Sequence, residues 1–83
     1  MRWLSLLILG VTLSFGAVDI NKANKTELMT LNGIGEAKAT AILEYRKKHN
    51  CFSKVDEIKE VKGLGEKFLQ KNRINMTVSS CKK

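Results

Sequence analysis

An all-α domain of four short helices is the fold class that this sequence predicts, and three observations carry the prediction. A six-residue pattern recurs after thirty residues, apolar residues stand at helical spacings on either side of each copy, and no stretch reads as a long strand. With 83 residues, the chain has room for one domain at most.

The first seventeen residues stand apart from that domain. Met1-Arg2 is followed by an uncharged run from Trp3 to Leu13 and then by Ser14-Phe15-Gly16-Ala17. A positive start, a short apolar stretch and a small-residue exit are the layout of a secretory signal peptide. Cleavage after Gly16 sets Ser14 and Gly16 at the two recognition positions, whereas cleavage after Ala17 would set the bulky Phe15 at one of them. The alternative is a retained membrane anchor. The uncharged residues Trp3 to Val18 would extend about 24 Å as a helix, short of the roughly 30 Å of a hydrocarbon core. The expected organisation is a signal peptide over residues 1–17, a domain over 18–78 and a basic tail over 79–83. The expected location is periplasmic or secreted, with no membrane span after cleavage.

Fifteen Lys and Arg stand against eight Asp and Glu, and losing Arg2 with the leader lowers the net charge from +7 to about +6. So strong a bias in a small domain favours a polyanionic partner. Nucleic acid and an anionic membrane surface both qualify, and charge alone does not choose between them. A chain this small buries a thin core. Two cysteines in an exported protein most simply pair, so Cys51 and Cys81 are a possible disulfide. A bridge closing about thirty residues would contribute roughly 3–4 kcal/mol in the chain-entropy model. The alternative is two independent thiols, one of them in a loose tail.

Shifting the chain by thirty places lays Glu27-Leu28 on Glu57-Ile58, Leu31 on Val61, and Gly33-Ile34-Gly35-Glu36 on Gly63-Leu64-Gly65-Glu66. Positions between them vary, as at Met29 over Lys59 and Asn32 over Lys62. Each copy parses as helix, tight turn, helix. In the first, Asn24 is a good N-cap and Glu27 completes a capping box, with Leu28 and Leu31 as the apolar face. Gly33 and Gly35 sit where a helix must stop, turn and restart, in conformations that a Cβ would obstruct. A second helix runs from about Glu36 to Lys48, its apolar side marked by Ala37, Ala41, Ile42 and Tyr45. Its basic end, Arg46-Lys47-Lys48, suits the negative pole of the helix dipole, and Asn50-Cys51 breaks it. In the second copy, Val55, Ile58 and Val61 share one face of a short helix. The Gly63/Gly65 turn leads into a last helix from Glu66 to about Arg73, with Phe68 and Leu69 apolar. From Asn75 to Lys83 helical period is lost and an irregular tail is expected.

A helix N-terminus leaves its first backbone N–H groups without intrahelical partners and carries a positive partial charge. Glycines just ahead of it let an anion approach the bare backbone, the general logic of phosphate sites at helix starts. The turns Gly33-Ile34-Gly35 and Gly63-Leu64-Gly65 would each present such donors, with Ile34 and Leu64 pointing inward. Lys38 follows the first turn, and Lys62 and Lys67 flank the second. Lysine–phosphate contacts carry no base information and weaken steeply with salt. A single Gly-x-Gly is equally well explained by a helix C-cap and a tight turn. Two copies between helices, with basic flanks in a basic domain, favour phosphate.

The pattern Leu31-x-Gly33-Ile34-Gly35-x-x-x-Ala39 and its echo Val61-x-Gly63-Leu64-Gly65 resemble a tandem helix-hairpin-helix motif. The string Val18-Asp19-Ile20-Asn21-x-Ala23, the segment Ile42-x-x-Tyr45-Arg46, and Phe52 followed by Val55-Asp56-Glu57-Ile58 are similar to the ComEA family of competence proteins, a likeness that runs from Val18 to about Val78. The resemblance implies an (HhH)2-like fold, with two hairpins about a pseudo-two-fold axis. Each turn would meet one strand across the minor groove of double-stranded DNA. It further implies an exported or membrane-tethered DNA receptor that feeds a DNA-uptake machine during natural transformation. The implied contacts are Gly33, Ile34, Gly35 and Lys38 in the first hairpin, and Lys62, Gly63, Leu64, Gly65 and Lys67 in the second. Lys67 matches the family's lysine two places after the second glycine. Ala37 takes that place in the first hairpin, so Lys38 must serve there, and the second hairpin is the expected stronger contact. Glu36 and Glu66 would lie near phosphate and oppose binding, although each complements its helix dipole. Asp19 replaces a usual Asn, Lys54 stands where Ser or Thr normally caps a helix, and the cysteines lie outside the family pattern.

Other residues are read as structural. Tyr45 and Phe68 lie on apolar faces and suit core packing better than base stacking. His49 stands alone, with no cluster at metal-ligand spacing, and no cofactor is implied. Neither cysteine has a His partner and no paired carboxylates share a face, so an enzyme is not expected. Asn24-Lys25-Thr26 and Asn75-Met76-Thr77 match the glycosylation sequon, but Asn24 is better explained as a cap. The competing function is a helix-hairpin-helix protein-interaction module in the periplasm. A cationic membrane-active peptide is disfavoured, because the charges are scattered over several short helices rather than along one amphipathic face.

Overall fold

The computed structural model describes residues 16–82. The expected signal peptide lies outside the described residues apart from Gly16 and Ala17. The chain enters through strand β1 (Val18–Asp19) and a first helix, Lys25–Leu28, and passes the first Gly-x-Gly turn into a long helix, Glu36–His49. A 3₁₀ helix (Val55–Glu60), the second turn and a last helix (Glu66–Asn72) repeat the arrangement. A 3₁₀ turn at Arg73–Asn75 and strand β2 (Met76–Thr77) complete it.

The first helix starts where its capping box requires. The Glu27 N–H donates to Asn24 Oδ1, and the Asn24 N–H donates to Glu27 Oε1, both at 2.8 Å. In the second copy the cap position holds Lys54, which makes no side-chain cap, and the helix that follows is 3₁₀ rather than α. Glu57 Oε1 there accepts the N–H of Ser53, the residue before the cap position, at 2.8 Å, in place of the N-cap N–H that Glu27 accepts in the first copy.

The core is built from matched positions of the two copies. Leu28, Leu31, Ile34, Ala39 and Ile42 are buried in the first, and Ile58, Val61, Leu64 and Leu69 in the second. Phe52 from the connection, Ile20 and Ala23 from the entering chain, and Met76 from β2 join them. The buried side of the long helix falls on Ala39 and Ile42, with Ala41 and Tyr45 half-buried beside them. Ala37, expected on that side, is exposed, because at 3.6 residues per turn it lies on the far side of the helix from the buried Ala39 and Ile42.

After Asn75 the chain forms a two-residue strand, a short β addition to an otherwise helical fold. Residues 78–82, without regular secondary structure as expected, are nonetheless fastened to the body. β1 and β2 pair in parallel, Val18 with Met76 and Asp19 with Thr77. Beyond them, Asn21 Nδ2 donates to the carbonyls of both Phe52 and Ser79 at 3.0 Å, and its Oδ1 accepts the Phe52 N–H at 2.6 Å. Asp19 Oδ1 accepts the Ser79 N–H at 3.2 Å. The Cys51–Cys81 disulfide, with its Cα atoms 5.7 Å apart, closes the same seam. From the long helix, the Arg46 guanidinium donates to the carbonyls of Ile20 and Ala23 at 3.1 and 2.8 Å. One amide and one guanidinium thus tie the entering chain to the connection, the C-terminal segment and the long helix.

Reduction of the disulfide should therefore lower stability by about 2–4 kcal/mol, since the closed loop is long. Urea unfolding with and without reductant measures it, and coincident curves would show that the bridge does not stabilise the fold. Tyr45 gives a second test. Its ring stacks on Phe52 at a centroid distance of 5.0 Å, and its hydroxyl donates to Glu57 Oε2 at 2.7 Å. Burial pushes the phenol up to about 12 from 10.0, and the hydrogen bond and charge of Glu57 act in the same direction. The folded state therefore holds this proton more tightly than the unfolded chain. The stability involved is complete below pH 10.0 and is lost as the pH rises toward about 12. Tyr45→Phe should flatten that alkaline loss in a series of unfolding curves.

Candidate functional site

The two Gly-x-Gly turns share one geometry. Gly33 and Gly63 adopt φ of 86° and 89°, the left-handed region in which a side chain is strained. Each turn closes on itself, the Ile34 N–H donating to Leu31 O at 3.2 Å and the Leu64 N–H to Val61 O at 3.0 Å. Ile34 and Leu64 are 5% and 7% exposed, so the centre of each turn is seated in the core while the glycines on either side are exposed.

The second glycine of each turn is different in kind. Gly35 and Gly65 are helix N-caps with φ of −100° and −140°, and a Cβ at either would meet nothing within 4 Å. The expectation that a Cβ would obstruct both glycines of a turn therefore holds for Gly33 and Gly63 alone. It holds because of φ rather than space. At Gly35 and Gly65 the fold does not require glycine. What glycine does there is chemical: it supplies no side-chain cap and leaves the helix start uncovered. The first intrahelical bonds run from Ala39 N to Gly35 O and from Leu69 N to Gly65 O. The N–H groups of residues 36–38 and 66–68 precede them and have no intrahelical acceptor.

Both turns open on one groove. Among the expected contact residues, Gly33, Lys38, Gly63, Gly65 and Lys67 line it together. Ile34 and Leu64 support the turns from the core side, Gly35 stands at the adjoining helix start, and Lys62 is exposed beside Gly63 without lining the groove. Asn32, Phe68 and Lys71 complete the lining. Lys71 is the site residue that the sequence reading missed. It stands four residues after Lys67 on the last helix, the spacing that puts two side chains on one face, and that spacing was the available signal. Phe68, expected in the core, is half-buried and also forms part of the groove wall.

The charge at the groove is cationic. Glu36 and Glu66, at the helix starts, are each paired with a lysine of the preceding helix: Lys25 to Glu36 at 3.1 Å and Lys59 to Glu66 at 3.6 Å. Such exposed pairs contribute roughly 0–1 kcal/mol to stability, but they offset the two carboxylates nearest the turns. Among the described residues, Lys38, Lys67 and Lys71 are in no ion pair. A larger depression of about 790 Å³ lies at the entering strand, with Asp19 and Glu27 set against Lys22, so it lacks this cationic character. Among the described residues no three His, Cys, Asp or Glu side chains come together as a metal site, and no helix is long and apolar enough to cross a membrane.

The model of a family described as the helix-hairpin-helix motif matches residues 14–77. The chain belongs to the helix-hairpin-helix family. ComE operon protein 1 of Bacillus subtilis (strain 168) is 39% identical over 61 residues, covering 74% of this chain and 30% of that protein. An uncharacterized protein of Haemophilus influenzae is 44% identical over 57 residues, 68% of this chain and 51% of the other. Endonuclease/exonuclease/phosphatase family domain-containing protein 1 of Homo sapiens is 40% identical over 63 residues, 76% of this chain and 11% of the other. The chain thus spans about half or less of the length of these relatives. The family match and the Bacillus likeness bear out the resemblance to ComEA proteins, and the matched residues include both hairpins.

The two glycine classes of these helix-hairpin-helix turns should separate experimentally. Gly33→Ala and Gly63→Ala should each lose about 1–2 kcal/mol, the cost of a Cβ in the left-handed region. Gly35→Ala and Gly65→Ala should lose less, because a less flexible unfolded chain, worth roughly 0.4–1 kcal/mol, offsets the similar amount by which Ala is the poorer N-cap. Urea denaturation of the four variants decides it, and equal losses at all four would refute the distinction.

Proposed function

We propose that this chain is an exported, sequence-independent double-stranded DNA-binding protein, a periplasmic DNA receptor in competence and DNA uptake, and not an enzyme. The observation that carries the reading is the single groove in which Gly33, Gly63 and Gly65 meet Lys38, Lys67 and Lys71. Two uncovered helix starts offer backbone donors to phosphate oxygens, and the lysines offset phosphate charge. None of these groups is placed to tell one base from another by the chemistry of its donors, so binding through them is indifferent to sequence. Contact with the minor-groove side of the duplex, one strand to each hairpin, follows from the family resemblance. The competence role rests on the likeness to ComE operon protein 1. Export rests on the layout of residues 1–17 and agrees with the Cys51–Cys81 disulfide, since such bonds persist in oxidising compartments.

A mobility-shift titration across salt concentrations tests this. Unrelated duplexes of equal length should bind alike, at around micromolar affinity or weaker, with log affinity falling linearly as log salt rises. Lys67→Ala and Lys71→Ala should each reduce that slope by about one, the signature of a lost phosphate contact. Gly35→Val with Gly65→Val, which leaves the positive-φ turn glycines intact, should weaken binding at least roughly tenfold by covering the bare N–H groups. No shift at low ionic strength, together with salt-insensitive binding to a protein, would establish the interaction-module reading instead.

A further inference from the structure

The thirty-residue repeat is broken at one buried position. Ile42 of the long helix is fully buried, and its counterpart in the second copy is Asn72, also at 0% exposure. A buried amide is costly unless its polar atoms are bonded, and here they are. Asn72 Oδ1 accepts the Asn32 N–H at 2.9 Å, while its Nδ2 donates to Asn32 O at 3.0 Å and to Phe68 O at 3.1 Å. We propose that Asn72 is a positioning residue, which holds the turn of the first hairpin in register with the groove wall of the second so that both engage one duplex together. The inference rests on the DNA-binding reading above.

Three features point this way. First, Asn72 takes both the N–H and the C=O of a single residue, Asn32. Two bonds to one residue fix the orientation of the chain as well as its distance. Second, Asn32 directly precedes Gly33 and itself lines the groove, as do Phe68 and Lys71 of the helix that carries Asn72. The helix that supplies Lys67 and Lys71 to one wall therefore grips the turn that forms the other. Third, the grip runs in one direction only. At the symmetric place the second turn has Lys62 in the position of Asn32, and the aliphatic side chain of Ile42 can offer it no hydrogen bond. An aliphatic residue evidently suits this position in the fold, since Ile42 fills its own copy of it. The amide at 72 thus adds something that core packing does not need.

The experiment uses protein recovered from expression of the full chain, in two arms. In the unaltered protein, amide hydrogen exchange at Asn32 should be at least roughly tenfold slower than at Lys62 after correction for intrinsic rates, because only the former donates to a buried acceptor. Asn72→Leu should keep its helical content, bind duplex at least roughly tenfold more weakly, and show a salt slope reduced by about one or two as contacts of the first hairpin are lost. A purely structural role would lower the active fraction without altering that slope. Unchanged affinity and slope in a folded Asn72→Leu protein would overturn the proposal. So would exchange at Asn32 no slower than at Lys62, a measurement that decides the matter even if the variant fails to fold. Absence of any shift with the unaltered protein at low salt would instead remove the DNA-binding reading, while leaving the exchange result to stand on its own.

Discussion

Helices of four, six and seven residues cannot persist on their own hydrogen bonds. What holds them is the aliphatic residue driven inward at the middle of each turn, Ile34 in one and Leu64 in the other. Because the turn is anchored from beneath by apolar contact, its upper side needs no side chains to hold it in place. Glycine can then occupy both flanks, one for its backbone conformation and one for its lack of bulk. The exposed N–H groups, the cationic groove and the close approach of the two hairpins all presuppose that inward pair.

Polar groups then do what so small an apolar core cannot. Asn21 joins the entering chain to the connection and the C-terminal segment, Arg46 joins it to the long helix, and Asn72 joins one hairpin to the other. Each makes several short bonds to backbone atoms, and among the described residues no buried side-chain polar atom lacks a partner. Satisfied networks of this kind fix geometry more sharply than greasy packing, and a half-satisfied one would be worse than none. The surface ion pairs are of another order. Lys25–Glu36 and Lys59–Glu66 contribute little stability, yet they offset acidic charge at the helix starts where an incoming anion would meet it.

Much of the helical frame was legible in the sequence because its signals are local. A capping box, a glycine pair and an apolar period each act within a few residues, and their repetition thirty positions later made the assignment firm. The β1–β2 closure was not legible, since strands of two residues have no alternation to read and their pairing depends on distant contacts. The 3₁₀ form of the third helix was not legible: Lys54 leaves it without a side-chain cap, but Gly35 and Gly65 leave theirs equally uncapped and both of those helices are α. The site was legible in its backbone elements and less so in its charges. Lys62 flanks a turn in sequence yet lies outside the groove, while Lys71, farther along the chain, is brought into it by the helix. Asn72 looked like any polar residue near a helix end, although extending the repeat by six positions past Glu66 lays it on a buried isoleucine.

A tandem duplication begins with two interchangeable halves, and a duplex backbone, viewed along its dyad, is likewise the same from either strand. Asn72 ends that equivalence on the protein's side, because one turn is gripped and the other is not. A duplex lying across both would have one strand against a rigid edge and the other against a yielding one. The bound DNA would thereby acquire a polarity that no base contributes, with a near side and a far side defined by the protein alone.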